Sequence, residues 1–139
     1  MEKTLVIIKP DAVKSRCAGD IIKIFYGNNL ELIGLKMIRP SKTVIENFYS
    51  VHKEKDFFKP LVEFMISGKI IVCIWSGDNA VFKVREIIGS TDSRQAKAGT
   101  IRNLFGTNGR VNAVHASDSL ENAEKEISFF FEKTEIFEN

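Results

Sequence analysis

Ile70-Ile71-Val72-Cys73-Ile74-Trp75 stands between Gly68 and the turn formers Ser76-Gly77-Asp78. A short apolar run rich in β-branched side chains and closed by turn residues reads as a strand, the most strand-like run in the chain. Toward the N-terminus, Thr4-Leu5-Val6-Ile7-Ile8 has the same character and is closed by Lys9-Pro10. Leu30 to Arg39 alternates loosely up to Pro40 and gives another strand, and Arg110 to His115 gives the last. The segments between them are helical. Ala18 to Asn28 groups Ile21, Ile22, Ile24 and Phe25 and ends at Gly27-Asn28-Asn29. Ser41 can cap a helix in which Val44, Ile45, Phe48 and Val51 recur on one side. His52 to Asp56 is a charged connector to a helix from about Lys59 to Ser67, with Leu61, Phe64 and Met65 inward. Asn79 to Ile88 is amphipathic, with Gly89 as its C-cap. Asp118-Ser119-Leu120-Glu121 resembles a capping box for a helix running to about Glu132, and the acidic tail to Asn139 is expected at the periphery.

The order is β-α-β-α-α-β-α-β-α. It predicts a ferredoxin-like α/β sandwich, a four-stranded antiparallel sheet covered by helices, with a helical pair inserted after the second strand. Ser90 to Gly109 has no long period; it is polar, carries Arg94, Lys97 and Arg102, and has room for one short helix near Thr100 to Phe105. Loops of that length in a compact domain are usually functional or disordered.

Composition narrows the class. Of 139 residues, 44% are hydrophobic and 27% charged, which excludes disordered, collagen-like and disulfide-dense chains. Lys plus Arg total 20 against 18 Asp plus Glu, a net charge of +2, so no global field draws nucleic acid or a membrane. No apolar run approaches the roughly 20 residues of a membrane span. Met1-Glu2-Lys3 runs straight into a strand without a signal peptide, and Cys17 and Cys73 are too few for a zinc site and suit reduced thiols. These features predict one soluble, cytoplasmic domain over residues 1–139.

The chain has no GxxxxGK[ST] loop, since Ile70 follows Gly68-Lys69, and no GxGxxG, HExxH or CxxC. A bound phosphate must therefore be held by side chains. Of the two histidines, His52 lies in a solvated connector, whereas His115 ends a strand just before a helix, among small residues. There it is either a core histidine satisfied by backbone or an acid, base or nucleophile. Lys9, Arg85, Arg94, Lys97 and Arg102 sit where elements give way to loops, either as surface charges or as phosphate ligands. Thr91, Thr100 and Asn112 offer neutral hydrogen bonds or caps. Phe57-Phe58 places a ring where it can stack on a base or anchor a helix, and Glu126, two turns into the last helix, can orient His115 or simply be exposed.

Asn112-Ala113-Val114-His115-Ala116-Ser117-Asp118-Ser119 closely resembles the active-site signature of nucleoside diphosphate kinases. The likeness extends through Thr4 to Val13, Phe57-Phe58-Lys59-Pro60-Leu61-Val62, Gly99-Thr100-Ile101-Arg102 and Ser119 to Ile127, in the family's order and spacing. The resemblance implies that His115 is the nucleophile that becomes a phosphohistidine. It implies that Lys9, Arg85, Thr91, Arg102 and Asn112 hold the nucleotide phosphates and sugar, and that Phe57 stacks on the base with Leu61 beside it. Tyr49, Ser117 and Glu126 match the residues that support the histidine. Mg²⁺ is expected to arrive on the nucleotide, because it prefers phosphate oxygens and water. Stacking on a ring implies broad base tolerance.

The sequence departs from the family pattern at Ala12 and Ala98, where many members have Gly and Pro, at Ser93 for a frequent Pro, and at Asn103 where Gly is common. None removes a reacting group. The implied partners are nucleoside di- and triphosphates and further copies of the chain, in a tetramer or hexamer built from dimers. Two rivals stand beside this reading. A non-catalytic nucleotide-binding module would need Phe57 and the basic residues but not His115 beside Glu126. A phosphohistidine relay would pass its phosphoryl group to a protein, an acceptor that Phe57 disfavours. The near-neutral charge and the missing aromatic strand pattern argue against an RNA binder.

Overall fold

The computed structural model describes residues 1–138. Its sheet is built on β1 (Glu2–Ile8), which lies between β3 (Ile70–Gly77) and the three-residue β4 (Val114–Ala116), with β2 (Glu31–Ile38) on the far side of β3. The order is β2-β3-β1-β4 and every pairing is antiparallel, with Leu5 opposite Ile74 and Ile7 opposite His115.

Successive side chains of a strand point to opposite faces. Val6 and Ile8 pack with Cys73 and Trp75 against Ile21 and Phe25 of α2 (Ala18–Tyr26) and Val84 and Ile88 of α5 (Ala80–Ile88). Leu5 and Ile7 face the other way, with Val72 and Ile74. They meet Ile45 of α3 (Lys42–Phe48), Leu61 and Met65 of α4 (Phe58–Met65), and Ile127 and Phe130 of α7 (Leu120–Phe130). Both faces of β1 and β3 are thus covered, and this is why their sequences are continuous apolar runs instead of alternating ones. The loose alternation of β2 reflects a register shift between Leu32 and Gly34. The ferredoxin-like α/β arrangement expected from the sequence is the one observed.

Several local details differ from expectation. Pro10 does close β1, but it also opens a short helix, α1 (Pro10–Lys14), because its fixed φ suits the first helical turn. Ser41 caps α3 as expected, its Oγ accepting from Val44 N–H at 3.2 Å. That helix ends at Phe48, and a 3₁₀ turn at Ser50–His52 takes the place of its last turn. The strand expected over Arg110 to His115 is mostly a turn: Ala113 has φ +74°, which breaks extended pairing until Val114. The last helix is capped by Ser119, whose Oγ accepts from Asn122 N–H, in place of a box on Asp118. The acidic tail is not loose. Phe131 is buried, Phe137 N–H donates to Ile33 O at 2.7 Å, and Glu135 and Glu138 pair with Lys36 and Lys3.

The long loop after α5 holds a 3₁₀ turn at Ser93–Gln95 and α6 (Ile101–Phe105), close to the short helix expected there. Gly89 ends α5 with φ +87°, where a Cβ would run into the Thr100 side chain. Among the described residues no helix is long and apolar enough to cross a membrane.

Candidate functional site

The C-terminal end of β1 and the N-terminal end of β4 lie side by side, and the site is built at that corner. Val114 and Ala116 point into the core under α2 and α5, so His115 between them points the opposite way, toward α3 and α7. There it opens onto a cleft of about 1060 Å³. Lys9, Tyr49, Phe57, Leu61, Arg85, Thr91, Arg102, Asn112, His115 and Glu126 all line it. Of the residues singled out in the sequence by the family signature, only Ser117 lies behind the wall.

Among the described residues, Glu126 is the one hydrogen-bonding partner of the His115 ring. Its Nε2 lies 2.9 Å from Glu126 Oε1, and that same oxygen accepts a 2.8 Å bond from Ser117 Oγ. Ser117 is fully buried and fixed to β1, its N–H donating to Leu5 O. The chain Ser117–Glu126–His115 therefore runs from the rigid sheet to the imidazole. With Glu126 accepting, the proton of the neutral ring sits on Nε2 and the lone pair is on Nδ1. Two rings pack edge-on against the imidazole: Phe48 at 5.3 Å and Tyr49 at 6.0 Å between centroids. Burial and the nearby Glu126 carboxylate raise the Tyr49 phenol, which stays protonated at neutral pH.

The basic residues form the opposite wall. Lys9 is buried, and its Nζ donates to Asn112 Oδ1 at 2.7 Å, while Asn112 Nδ2 donates to Thr91 O at 2.9 Å. Arg102, also buried, donates through Nη2 to Val114 O and through Nη1 to Gly89 O, and Arg85 reaches Ala116 O at 3.3 Å. Burial and the Arg102 charge lower the Lys9 ammonium to about 7, an effect only partly offset by Asp11. Burial and Arg85 likewise lower Arg102 to about 10. The arginines have backbone carbonyls as their partners and Lys9 the Asn112 side-chain oxygen. Such a cleft favours a multiply charged anion, which stabilises the charged form of each and restores that of Lys9.

At the outer end, Phe57 stands just before α4, 45% exposed, with its ring tilted against His52 at 5.4 Å, and Leu61 lies one turn on. A flat aromatic face open to the cleft can take a base without reading its edges.

Other expectations fall differently. Arg94 lines the cleft but is held by both oxygens of Asp92, at 3.0 and 2.8 Å. Thr100 caps α6 through its Oγ1 and lies outside the cleft, as does Lys97. Asn103, where the family commonly has Gly, accepts from Gly99 N–H and donates to Ala96 O, bracing the loop across Ala98. The sequence reading placed His52 in solvent and gave Phe48, Asp11 and Arg110 no part. Phe48, His52 and Arg110 line the cleft, and Asp11 Oδ2 accepts from Ala113 N–H behind it. The helical spacing that marked Phe48 as core hid its contact with His115, because α3 ends there and turns its last ring toward β4.

Comparison with known proteins agrees with this geometry. The family model described as nucleoside diphosphate kinase matches residues 2–136. A nucleoside diphosphate kinase of Campylobacter jejuni subsp. doylei is 54% identical over 137 residues, covering 99% of this chain and all of that protein. One from Chlamydia trachomatis serovar A is 52% identical over 136 residues, covering 98% of this chain and 96% of its own. Among solved structures, the Aquifex aeolicus nucleoside diphosphate kinase has a TM-score of 0.94 at 44% identity, over 97% of this chain and 98% of its own. The Halobacterium salinarum enzyme in complex with CDP has a TM-score of 0.96 at 34% identity, over 99% and 92%. With the fold, the corner at His115 and these relatives in agreement, the chain belongs to the nucleoside diphosphate kinase family.

Proposed function

We infer that the protein transfers the γ-phosphoryl group of a nucleoside triphosphate to a nucleoside diphosphate by a ping-pong mechanism through a phosphohistidine at His115. The observation that carries this reading is the one-sided support of His115: Nε2 on Glu126, with Nδ1 left to face a cleft walled by Lys9, Arg85 and Arg102. The Nδ1 lone pair attacks the γ-phosphorus in line as the bond to the β-phosphate oxygen breaks, and the diphosphate leaves with that electron pair. Nε2 keeps its proton throughout, and Glu126, fixed by Ser117, stabilises the positive charge that develops on the ring. Lys9, Arg85 and Arg102 offset charge on the phosphoryl oxygens, Thr91 and Asn112 hold the nucleotide beside them, and Tyr49 packs the imidazole in place. Phe57 stacks on the base above Leu61, with little selection among bases. A second diphosphate then takes the group from His115.

Among the described residues no group of three or more His, Cys, Asp or Glu is placed to hold a metal. The donor set of the cleft fits Mg²⁺ held mainly by nucleotide phosphates and water, with the exposed Asp118 as an available carboxylate. Bound in that way, Mg²⁺ neutralises phosphate charge. The proposal extends to a single kinase domain over residues 1–139, acting in the cytoplasm on nucleotides, as a tetramer or hexamer assembled from dimers, with no specific nucleic acid as partner.

The test is incubation with γ-labelled ATP and Mg²⁺, followed by a chase with GDP or dTDP. An acid-labile, base-stable label on His115 that moves to the added diphosphate is expected, and His115→Ala takes none while keeping its fold. A label that ignores diphosphates but passes to a protein overturns the reading in favour of a relay.

A further inference from the structure

Ala113 stands two residues before His115 and carries φ +74°, in the left-handed region that L side chains rarely adopt. Its side chain is fully buried, so it cannot swing out to relieve the conformation. The residue is gripped on both polar groups from one short segment. Its carbonyl accepts from Lys9 N–H at 2.8 Å, and its N–H donates to Asp11 Oδ2 at 3.0 Å. Pro10 lies between those two partners and fixes their spacing at the start of α1. The other carboxylate oxygen, Asp11 Oδ1, is buried without a hydrogen-bond partner. Asp11 does not line the cleft. The Ala113 N–H is the hydrogen bond that joins this carboxylate to the nucleotide corner, beside its through-space attraction to the Lys9 ammonium.

We propose that Asp11 is a positioning residue, whose carboxylate holds Ala113 in the left-handed turn that aims Asn112 at Lys9 and His115 into the cleft. The neighbours show what the turn achieves. On one side of Ala113, Asn112 reaches Lys9 Nζ at 2.7 Å; on the other, Val114 O takes the Arg102 guanidinium at 3.0 Å, and His115 falls opposite Ile7. An extended Ala113 would continue β4 backward and turn Asn112 away from Lys9. A backbone held in a sparsely populated conformation persists only where its surroundings over-determine it: Val114 N–H closes the turn on Asn112 O at 2.9 Å, and Asp11 with Lys9 holds the polar groups of Ala113 itself.

The inference rests on the reading of His115 as the nucleophile. Rapid-quench measurement of His115 labelling from γ-labelled ATP separates the two. In Asp11→Ala the labelling rate is expected to fall by about 10- to 100-fold, the scale set by small misplacements of reacting groups. Asp11→Asn keeps an oxygen acceptor without the charge and, at saturating ATP, where bound phosphate sets the Lys9 charge, should stay within about threefold of wild type. Adding Ala113→Gly to Asp11→Ala should recover most of the lost rate, since glycine adopts positive φ without steric cost. Failure of glycine to restore the rate, or an Asp11→Asn loss as large as that of alanine, overturns the proposal. So does an Asp11→Ala protein that melts earlier yet labels at the wild-type rate while folded. Where Asp11→Ala does not fold, Asp11→Asn decides alone: a loss of about tenfold or more in that folded variant overturns the proposal. Wild-type protein that takes no label overturns the His115 reading and this inference with it.

Discussion

Nucleotide binding should draw a proton onto Lys9. In the free protein, burial and the adjacent Arg102 lower this ammonium to about 7 from an ordinary 10.5. A polyphosphate in the cleft supplies the opposite charge that the protein lacks there and returns the group to its ordinary range. At pH 8 the free site is about one-tenth protonated and the occupied site almost fully, so about 0.9 proton is taken up per site, falling to about 0.5 at pH 7. The affinity follows the same linkage. The Kd for a diphosphate should rise about fivefold from pH 7 to 8 and about ninefold from pH 8 to 9, or about 1.0 and 1.3 kcal/mol. Terminal phosphate ionisation, with a pKa near 6, is complete by pH 8 and does not mask the effect. Isothermal titration calorimetry of ADP at pH 8, in buffers of different ionisation enthalpy, gives the proton count directly. Lys9→Met should bind more weakly and take up about 0.9 proton fewer. A difference below about 0.3 proton, or a Kd flat from pH 7 to 9, would refute the argument that Lys9 is a destabilised cation in the free site.

Ser117→Ala removes the 2.8 Å bond to Glu126, so His115 labelling should slow about 5- to 30-fold, the equivalent of 1–2 kcal/mol, while the KM for diphosphates changes little. Equal loss in both parameters would assign Ser117 to binding instead. Phe57→Ala should raise the KM for adenine, guanine and thymine diphosphates alike, each by about 1–3 kcal/mol of stacking; steady-state kinetics that show loss for one base alone contradict it. Gly89→Ala puts a Cβ against Thr100 at φ +87°, and thermal unfolding should register a loss of about 1–3 kcal/mol, whereas an unchanged Tm contradicts the strain. The ligand-free protein itself should become more stable from pH 7 to about 9, because the unfolded chain keeps the Lys9 proton that the folded chain sheds; above that, the raised thiol of buried Cys73 opposes the trend. Chemical denaturation across that range reads the slope, and a fall in stability counts against it.

Legibility in the sequence followed how local the cause was. β1 and β3 were readable because a strand covered on both faces leaves an uninterrupted apolar run. Ser41 and Gly89 announced a helix start and a helix end through chemistry confined to one residue. The corner at His115 was not local. Arg110 to Ala113 has strand-like residues, yet Asp11 and Lys9, a hundred positions away, hold Ala113 in a turn that no propensity would place there. Likewise the tail from Lys133 reads as a solvated acidic end, and its partners Ile33, Lys36 and Lys3 lie in strands it meets only after folding. The candidate site was legible as a family signature; what the signature alone did not convey was Phe48 against the His115 ring, and the carbonyls that hold Arg85 and Arg102.

Those carbonyls give the site its logic. A phosphate-binding arginine left free in an empty cleft has to be ordered when substrate arrives, at a cost in side-chain entropy. Here Arg102 is fixed to Val114 O and Gly89 O, Arg85 to Ala116 O, and Lys9 to Asn112, so the cations are already in place on the two strand ends that flank His115. The same bonds tie Arg102 and Arg85 to the backbone on either side of His115, so that residue and the groups proposed to receive phosphoryl charge are fixed in one frame. Preorganised charge of this kind lowers the barrier because little has to reorient in the transition state. The cost appears in the free protein, where Lys9 and Arg102 are pressed together out of water with their charges unbalanced. An arrangement unfavourable while empty and favourable once an anion enters selects for a strongly charged ligand. On the proposed reading that selection falls on the phosphates, and an open ring at Phe57 leaves the identity of the base nearly free.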